Sequence, residues 1–238
     1  MLRFMPVGDS MTIGSAGEHT WRYRMWQHLR ATYGGPFQLV GPREALYDKA
    51  TGAADSYEYA DPDPAFPRAH LAGWGEGWQH LSPLIADAVR ASRADVLLVS
   101  LGLIDLGFYT NAPQTAENAR AFIERARSAN PHVSMVLLPV IPNIRAETDA
   151  PFAREVGLFN ELLAKAVADL DEPGSPLLLA STPDSPDSPD RSNAYDIHHD
   201  TYDGTHPNAS GEHKLAAAFA EAMHQGWGVG EEYVAERA

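Results

Sequence analysis

The sequence predicts an α/β domain built on a parallel sheet with helices on both faces, and three observations carry that expectation. Apolar, strand-like runs alternate with amphipathic, helix-like stretches along the chain. One run, residues 94–101, is almost wholly apolar, as a strand covered on both faces must be. The segments at residues 8–10, 102–105 and 139–143 each end such a run, so the topology would gather them at the carboxyl edge of the sheet, where ligands bind.

Taken in order, residues 2–8 read as a first strand running into Asp9-Ser10-Met11-Thr12-Ile13-Gly14. Trp21, Met25, Trp26 and Leu29 recur at helical spacing, which predicts a helix over residues 19–33, stopped by Gly34-Gly35-Pro36. Residues 37–41 read as a short second strand. Residues 42–70 then lose all periodicity, a connection long enough to suggest a functional loop or lid. Its Tyr47, Tyr57, Tyr59 and Phe66 either line a pocket or pin the loop to the body of the protein.

Glycines at alternate positions over residues 73–77 precede a helix at 79–92, a pattern that lets backbone N–H groups approach a ligand. The buried strand at 94–101 ends in Gly102-Leu103-Ile104-Asp105. A helix at 113–129 and a strand at 133–140 come next, and then a helix at 151–170 with Phe152, Val156, Phe159, Leu162, Leu163 and Val167 on one face. Residues 177–180 make a fifth strand, residues 182–200 a surface loop with repeated Ser-Pro-Asp, and residues 209–223 a last helix.

Length and composition bound what this domain can do. The 238 residues suit one domain, residues 1–238, that buries roughly 70% of its unfolded surface. A net charge of −14 and the lack of any Lys/Arg cluster argue against nucleic acid or an anionic membrane as partner. With no cysteine there are no disulfides, no thiolate metal sites and no thiol nucleophile, so covalent catalysis must use oxygen. No run of 18 apolar residues predicts a membrane span. Without a basic-then-apolar leader ahead of the first strand, the chain as given reads as cytoplasmic.

Ser10 sits on a strand-to-helix turn, which lifts a hydroxyl clear of the sheet and is the first nucleophile candidate; the same residues also suit a simple Asx turn. Almost two hundred residues later, Asp203 and His206 lie three apart in a Gly-containing turn. There the imidazole can take the Ser10 proton while the carboxylate fixes its tautomer, although each residue singly also suits a turn or a helix start. Asp196-Ile197-His198-His199-Asp200 holds metal-ligand residue types, but adjacent side chains in extended backbone point apart. A calcium site at Asp184, Asp187 and Asp190 matches no known loop spacing.

Gly8-Asp9-Ser10 after the first strand, glycines before the next helix, Gly-x-x-Asp after the buried strand and a terminal Asp-x-x-His together resemble the SGNH/GDSL hydrolase family, from residue 2 to about 223. The resemblance implies a flavodoxin-like three-layer α/β/α sandwich with a five-stranded parallel sheet. It implies a carboxylic ester hydrolase with Ser10 as nucleophile, His206 as general base and Asp203 orienting it, needing neither metal nor cofactor. The oxyanion would be held by the backbone N–H of Ser10 and of Gly75, with Gly73 as the alternative register.

One block departs from the family pattern. Where Gly-x-Asn-Asp is usual, this chain has Ile104, which has no donor, and one lost oxyanion donor costs about 10²–10³ in kcat. Asn143 or Asn111 supplies the missing amide, or two backbone donors suffice, or the acyl chemistry is different or slower. An acyltransferase on the same site and a non-catalytic ligand-binding member of the fold are the rival readings. The partner expected is a small or medium-sized ester, walled by Trp74, Trp78, Phe108 and Tyr109 unless these belong to the core.

Overall fold

A computed structural model describes residues 1–60, 63–181 and 194–235. Its elements follow chain order as β1 (Leu2–Gly8), α1 (Ser10–Ile13), α2 (Trp21–Thr32), β2 (Phe37–Leu39), β3 (Leu46–Asp48), β4 (Ala53–Ser56), β5 (Leu71–Ala72), α3 (Trp78–Ser92), β6 (Val96–Ser100), a π-helical turn (Asp105–Tyr109), α4 (Ala112–Ala129), β7 (Ser134–Leu138), α5 (Ile144–Thr148), α6 (Ala150–Leu170), β8 (Leu177–Leu179), α7 (Ile197–Asp200) and α8 (Ala209–Trp227). The Ser-Pro-Asp repeats and the calcium candidates Asp184, Asp187 and Asp190 lie outside the described residues.

The main sheet runs β2-β1-β6-β7-β8 and all its pairings are parallel, as expected for five strands in a doubly wound order. β6 and β7 sit in the middle with Val96–Ser100 and Met135–Leu138 buried, which accounts for their unbroken apolar sequence. α3, α4 and α6 pack in succession, α2 packs on α8, and Trp21 of α2 stacks on Phe219 of α8 with ring centroids 4.7 Å apart. The chain reverses direction across the sheet between β1 and β6, so the loops after these two strands flank the crevice where doubly wound sheets bind ligands.

Three differences from the sequence reading matter for the site. A sixth strand, β5, joins β1 along the edge that β2 leaves, pairing Val7 with Leu71 and Gly8 with Ala72; two residues are too short for any periodicity to register. The first helical turn begins at Ser10 itself, ahead of α2, because the Asp9 side chain caps it by accepting the Met11 N–H at 3.0 Å. Residues 42–70 are not featureless: β3 and β4 form an antiparallel hairpin, and Tyr59 and Phe66 are buried in the core, so these two rings pin the segment. No helix among the described residues is long and apolar enough to cross a membrane.

Candidate active site

Residues 196 positions apart meet at the carboxyl edge. His206 Nε2 lies 3.0 Å from Ser10 Oγ, and His206 Nδ1 lies 2.7 Å from Asp203 Oδ2. An ionised carboxylate only accepts, so the proton is assigned to Nδ1 and the Nε2 lone pair faces the serine hydroxyl. Ser10 is 4% exposed at the start of α1, whereas the imidazole is 17% exposed and Asp203 faces solvent.

The loop that carries the histidine is held by its own backbone. Asp203 Oδ1 accepts the N–H groups of Thr205 (3.0 Å) and His206 (2.8 Å), and Tyr202 N–H donates to the His206 carbonyl at 3.1 Å. Partial burial pushes the Asp203 carboxyl up, but the donors on His206 and Thr205 outweigh it and hold the group below the usual carboxylate range. Gly204 sits at φ 84°, and a Cβ there would come within 2.6 Å of Ile144 Cβ, so the turn needs glycine both for its dihedral and for its contact with α5.

The glycine block forms a second turn. Glu76 N–H donates to the Gly73 carbonyl at 3.2 Å, with Gly75 third in the turn at φ 74°, the conformation a type II turn demands. The turn presents Trp74, whose ring stacks on the His206 imidazole (4.7 Å, 13° between planes) and on Tyr47 (4.2 Å, 15°). Gly73 N–H is engaged with the Gly8 carbonyl at 3.2 Å, while Gly75 has open space where a side chain would be. A cavity of about 630 Å³ opens beside this turn, lined among others by Ile13, Arg43, Tyr47, Tyr57, Trp74 and Glu76.

The other expected residues fall in different places. Ile104 is half-buried on the turn between Gly102 and Asp105. Asn143 is buried and engaged locally, its Oδ1 accepting Ala146 N–H (3.2 Å) and its Nδ2 donating to the Ile141 carbonyl (3.3 Å); Asn111 caps α4 through Gln114 N–H (3.0 Å). Trp78 is core, whereas Phe108 and Tyr109 on the π-helical turn are exposed. Residues 197–200 form a helical turn rather than extended backbone, with His198 on Glu147 (3.2 Å) and His199 on Asp200 (3.0 Å). Among the described residues no group of three His, Asp or Glu could hold a metal ion.

Several residues support the site through contacts that residue order does not reveal. Asp105 replaces the missing cap of α3 by accepting Trp78 N–H at 2.9 Å, and burial pushes its carboxyl up. Asp9 is wholly buried, with Oδ2 unpartnered, and burial raises its pKa to about 7 against the pull of the Met11 N–H, Asp105 adding to the rise. Arg22, also wholly buried, donates to the carbonyls of Thr12 (2.7 Å), Ile13 (3.0 Å) and Arg68 (2.7 Å) and to Tyr59 Oη (3.0 Å), fastening the end of α1. His70 accepts Ala72 N–H on Nδ1 and lies 3.1 Å from the Ala45 carbonyl through Nε2; burial keeps it well below the usual imidazole range.

Known proteins share this outline. A multidomain esterase of Ruminococcus flavefaciens is 22% identical over 229 residues, which cover 93% of this chain and 28% of that protein, so the chain spans less than a third of that relative's length. An acetyl esterase solved with an acetate ion superposes with a TM-score of 0.72 at 21% identity over 94% of this chain and 97% of that one. A family 3 carbohydrate esterase from Talaromyces cellulolyticus gives 0.71 at 22% over the same shares, and one from Clostridium thermocellum 0.69 at 19% over 94% and 96%. These likenesses are of fold. Residues 7–214 match the profile of the GDSL-like Lipase/Acylhydrolase family, which covers most of the chain, and the chain therefore belongs to that family of ester hydrolases.

Proposed function

We propose that residues 1–238 act as one catalytic unit that removes a small acyl group, such as acetyl, from a carbohydrate ester. The observation that carries this is the unbroken hydrogen-bonded file from Ser10 Oγ through His206 to Asp203. The sugar part is suggested by the solved relatives, an acetyl esterase and two family 3 carbohydrate esterases. The cavity beside the site suits it, combining the rings of Trp74 and Tyr57 with the Arg43–Glu76 pair.

In this reading Ser10 Oγ attacks the ester carbonyl while its proton passes to His206 Nε2, and Asp203 stabilises the imidazolium. Collapse of the tetrahedral intermediate breaks the bond to the sugar oxygen, which takes the proton from His206. Water then attacks the acyl-enzyme, giving its proton to His206, and the carboxylate leaves as Ser10 recovers its hydrogen. The negative oxygen is held by the N–H groups of Ser10 and Gly75. Gly75 is preferred to Gly73 because the Gly73 N–H is already bonded to Gly8. Asn143 is not proposed as a third donor, since its Nδ2 already donates to the Ile141 carbonyl at 3.3 Å.

The test is hydrolysis of 4-nitrophenyl acetate and of acetylated xylose and glucosamine, together with labelling by a fluorophosphonate probe. Wild type is expected to turn over the acetates and to be labelled at Ser10, and Ser10→Ala to do neither. A folded wild type that is neither labelled nor active on any ester would overturn the reading, and release of acyl chains only from lipids would overturn the carbohydrate part.

A further inference from the structure

The hairpin of β3 and β4 is fastened to both ends of the proton relay. Its backbone is tied to the loop after α1: Tyr47 N–H donates to the Gly14 carbonyl and Ala16 N–H to the Tyr47 carbonyl, both at 2.9 Å. Its side chains reach the histidine by two separate routes. Tyr47 stacks on Trp74, which stacks on His206. Lys49, in the turn after β3, donates to Tyr202 Oη at 3.0 Å and places Nζ 4.3 Å over the Tyr202 ring, and that ring lies parallel to His206 (5.7 Å, 13°). Tyr202 Oη is also 3.5 Å from Ser15 Oγ, on the loop that the hairpin grips.

We propose that β3 and its turn brace the His206 imidazole against Ser10, with Tyr47 acting through Trp74 and Lys49 acting through Tyr202 as positioning residues. The proposal rests on the hydrolase reading, in which His206 is the base. It accounts for a segment that would otherwise look like a lid. Ser10 stands on a buried turn, but the loop bearing His206 faces solvent: Tyr202 is 44% exposed and Asp203 is exposed. Backbone bonds within that loop fix its shape but not its place relative to Ser10. A ring displaced by 1 Å costs about 10²-fold in rate, so the placement must come from outside the loop. Lys49 is fitted to supply it, because among the described residues it has no carboxylate within 4.0 Å, and both its contacts go to Tyr202, whose ring lies parallel to His206.

The experiment compares Lys49→Met, which keeps the alkyl stem and removes charge and donor, with Tyr202→Phe, which keeps the ring and removes the hydroxyl. Lys49→Arg serves as the conservative control. Both disruptive variants are expected to lower kcat for 4-nitrophenyl acetate about tenfold with KM within about twofold, the double variant to fall no further than either, and Lys49→Arg to recover most of the rate. Independently of turnover, the low-field proton of His206 Nδ1, shared with Asp203 at 2.7 Å, is expected to be sharp in the wild-type proton NMR spectrum and broadened in both variants. Unchanged kcat with an unchanged low-field signal overturns the brace. A rise in KM with kcat unchanged also overturns it, because Lys49 would then be a substrate contact. If wild type hydrolyses no ester, the hydrolase reading fails while the NMR comparison still decides the brace. Lys49 is exposed, and thermal melts of each variant confirm that any loss is not unfolding.

Discussion

Replacing Asp9 by Asn isolates the cost of a buried carboxyl next to Ser10. In the folded chain Asp9 is fully buried, and its pKa is raised from 3.8 to about 7 by desolvation, against the Met11 N–H that it accepts, with Asp105 adding to the rise. Because the folded value is the higher one, the folded state keeps a proton that the unfolded chain has released. The stability from this group is therefore fully present below about pH 4 and is lost as pH rises to about 7, beyond which the loss is constant. At about 1.4 kcal/mol for each pKa unit, the difference amounts to about 4 kcal/mol at most. Asn keeps an oxygen for the Met11 N–H, matches the neutral acid in shape and never ionises. Urea unfolding of both proteins from pH 4.5 to 8.5 should show Asp9→Asn gaining on wild type by about 2–4 kcal/mol up to pH 7 and then running parallel. Curves parallel over the whole range, or a gap that opens only above pH 8, would refute the reasoning.

Three further substitutions have defined outcomes. Asp203→Asn should leave the fold intact but lower kcat about 10⁴-fold, because the amide favours the tautomer with the proton on Nε2; steady-state rates beside a thermal melt check both halves. Gly204→Ala should cost at least about 1–2 kcal/mol from the left-handed backbone alone, with more from overlap with Ile144, and should lower kcat because the Asp203–His206 turn moves. Ile104→Asn should raise kcat about tenfold by returning a side-chain donor to the oxyanion, with KM little changed. An unaltered rate in a folded Ile104→Asn protein would mean that residue 104 does not face the reacting carbonyl.

The parallel sheet and its five main strands were legible in the sequence, and the candidates Ser10, Asp203 and His206 could be named from it, for a definite reason. Burial on both faces writes itself into consecutive residues such as Val96–Ser100, and helical burial into spaced ones such as Trp21, Met25 and Leu29. Ser10, Asp203 and His206 each sit in a turn that is ordinary alone; they were singled out together, because the set in this chain order resembles the SGNH/GDSL pattern. β3, β4, β5 and the π-helical turn at Asp105–Tyr109 were missed because they are short and are stabilised by distant partners, so no periodicity marks them.

Side-chain destinations were a different matter. Asn143 and Asn111 each cap the helix that follows through Oδ1, and the Nδ2 of Asn143 donates to the Ile141 carbonyl, a destination that residue order does not reveal. Lys49 gave no hint of a role, since its partner lies 153 residues away on the loop that bears the histidine. The sequence by itself determined the layered α/β architecture and offered Ser10, His206 and Asp203 as candidate nucleophile, base and carboxylate, because those depend on pattern and residue chemistry. Only the tertiary structure decided which rings flank the imidazole and which carboxyls are buried. Those depend on contacts between segments far apart in the chain, where desolvation and ring stacking act through space and leave no trace in residue order.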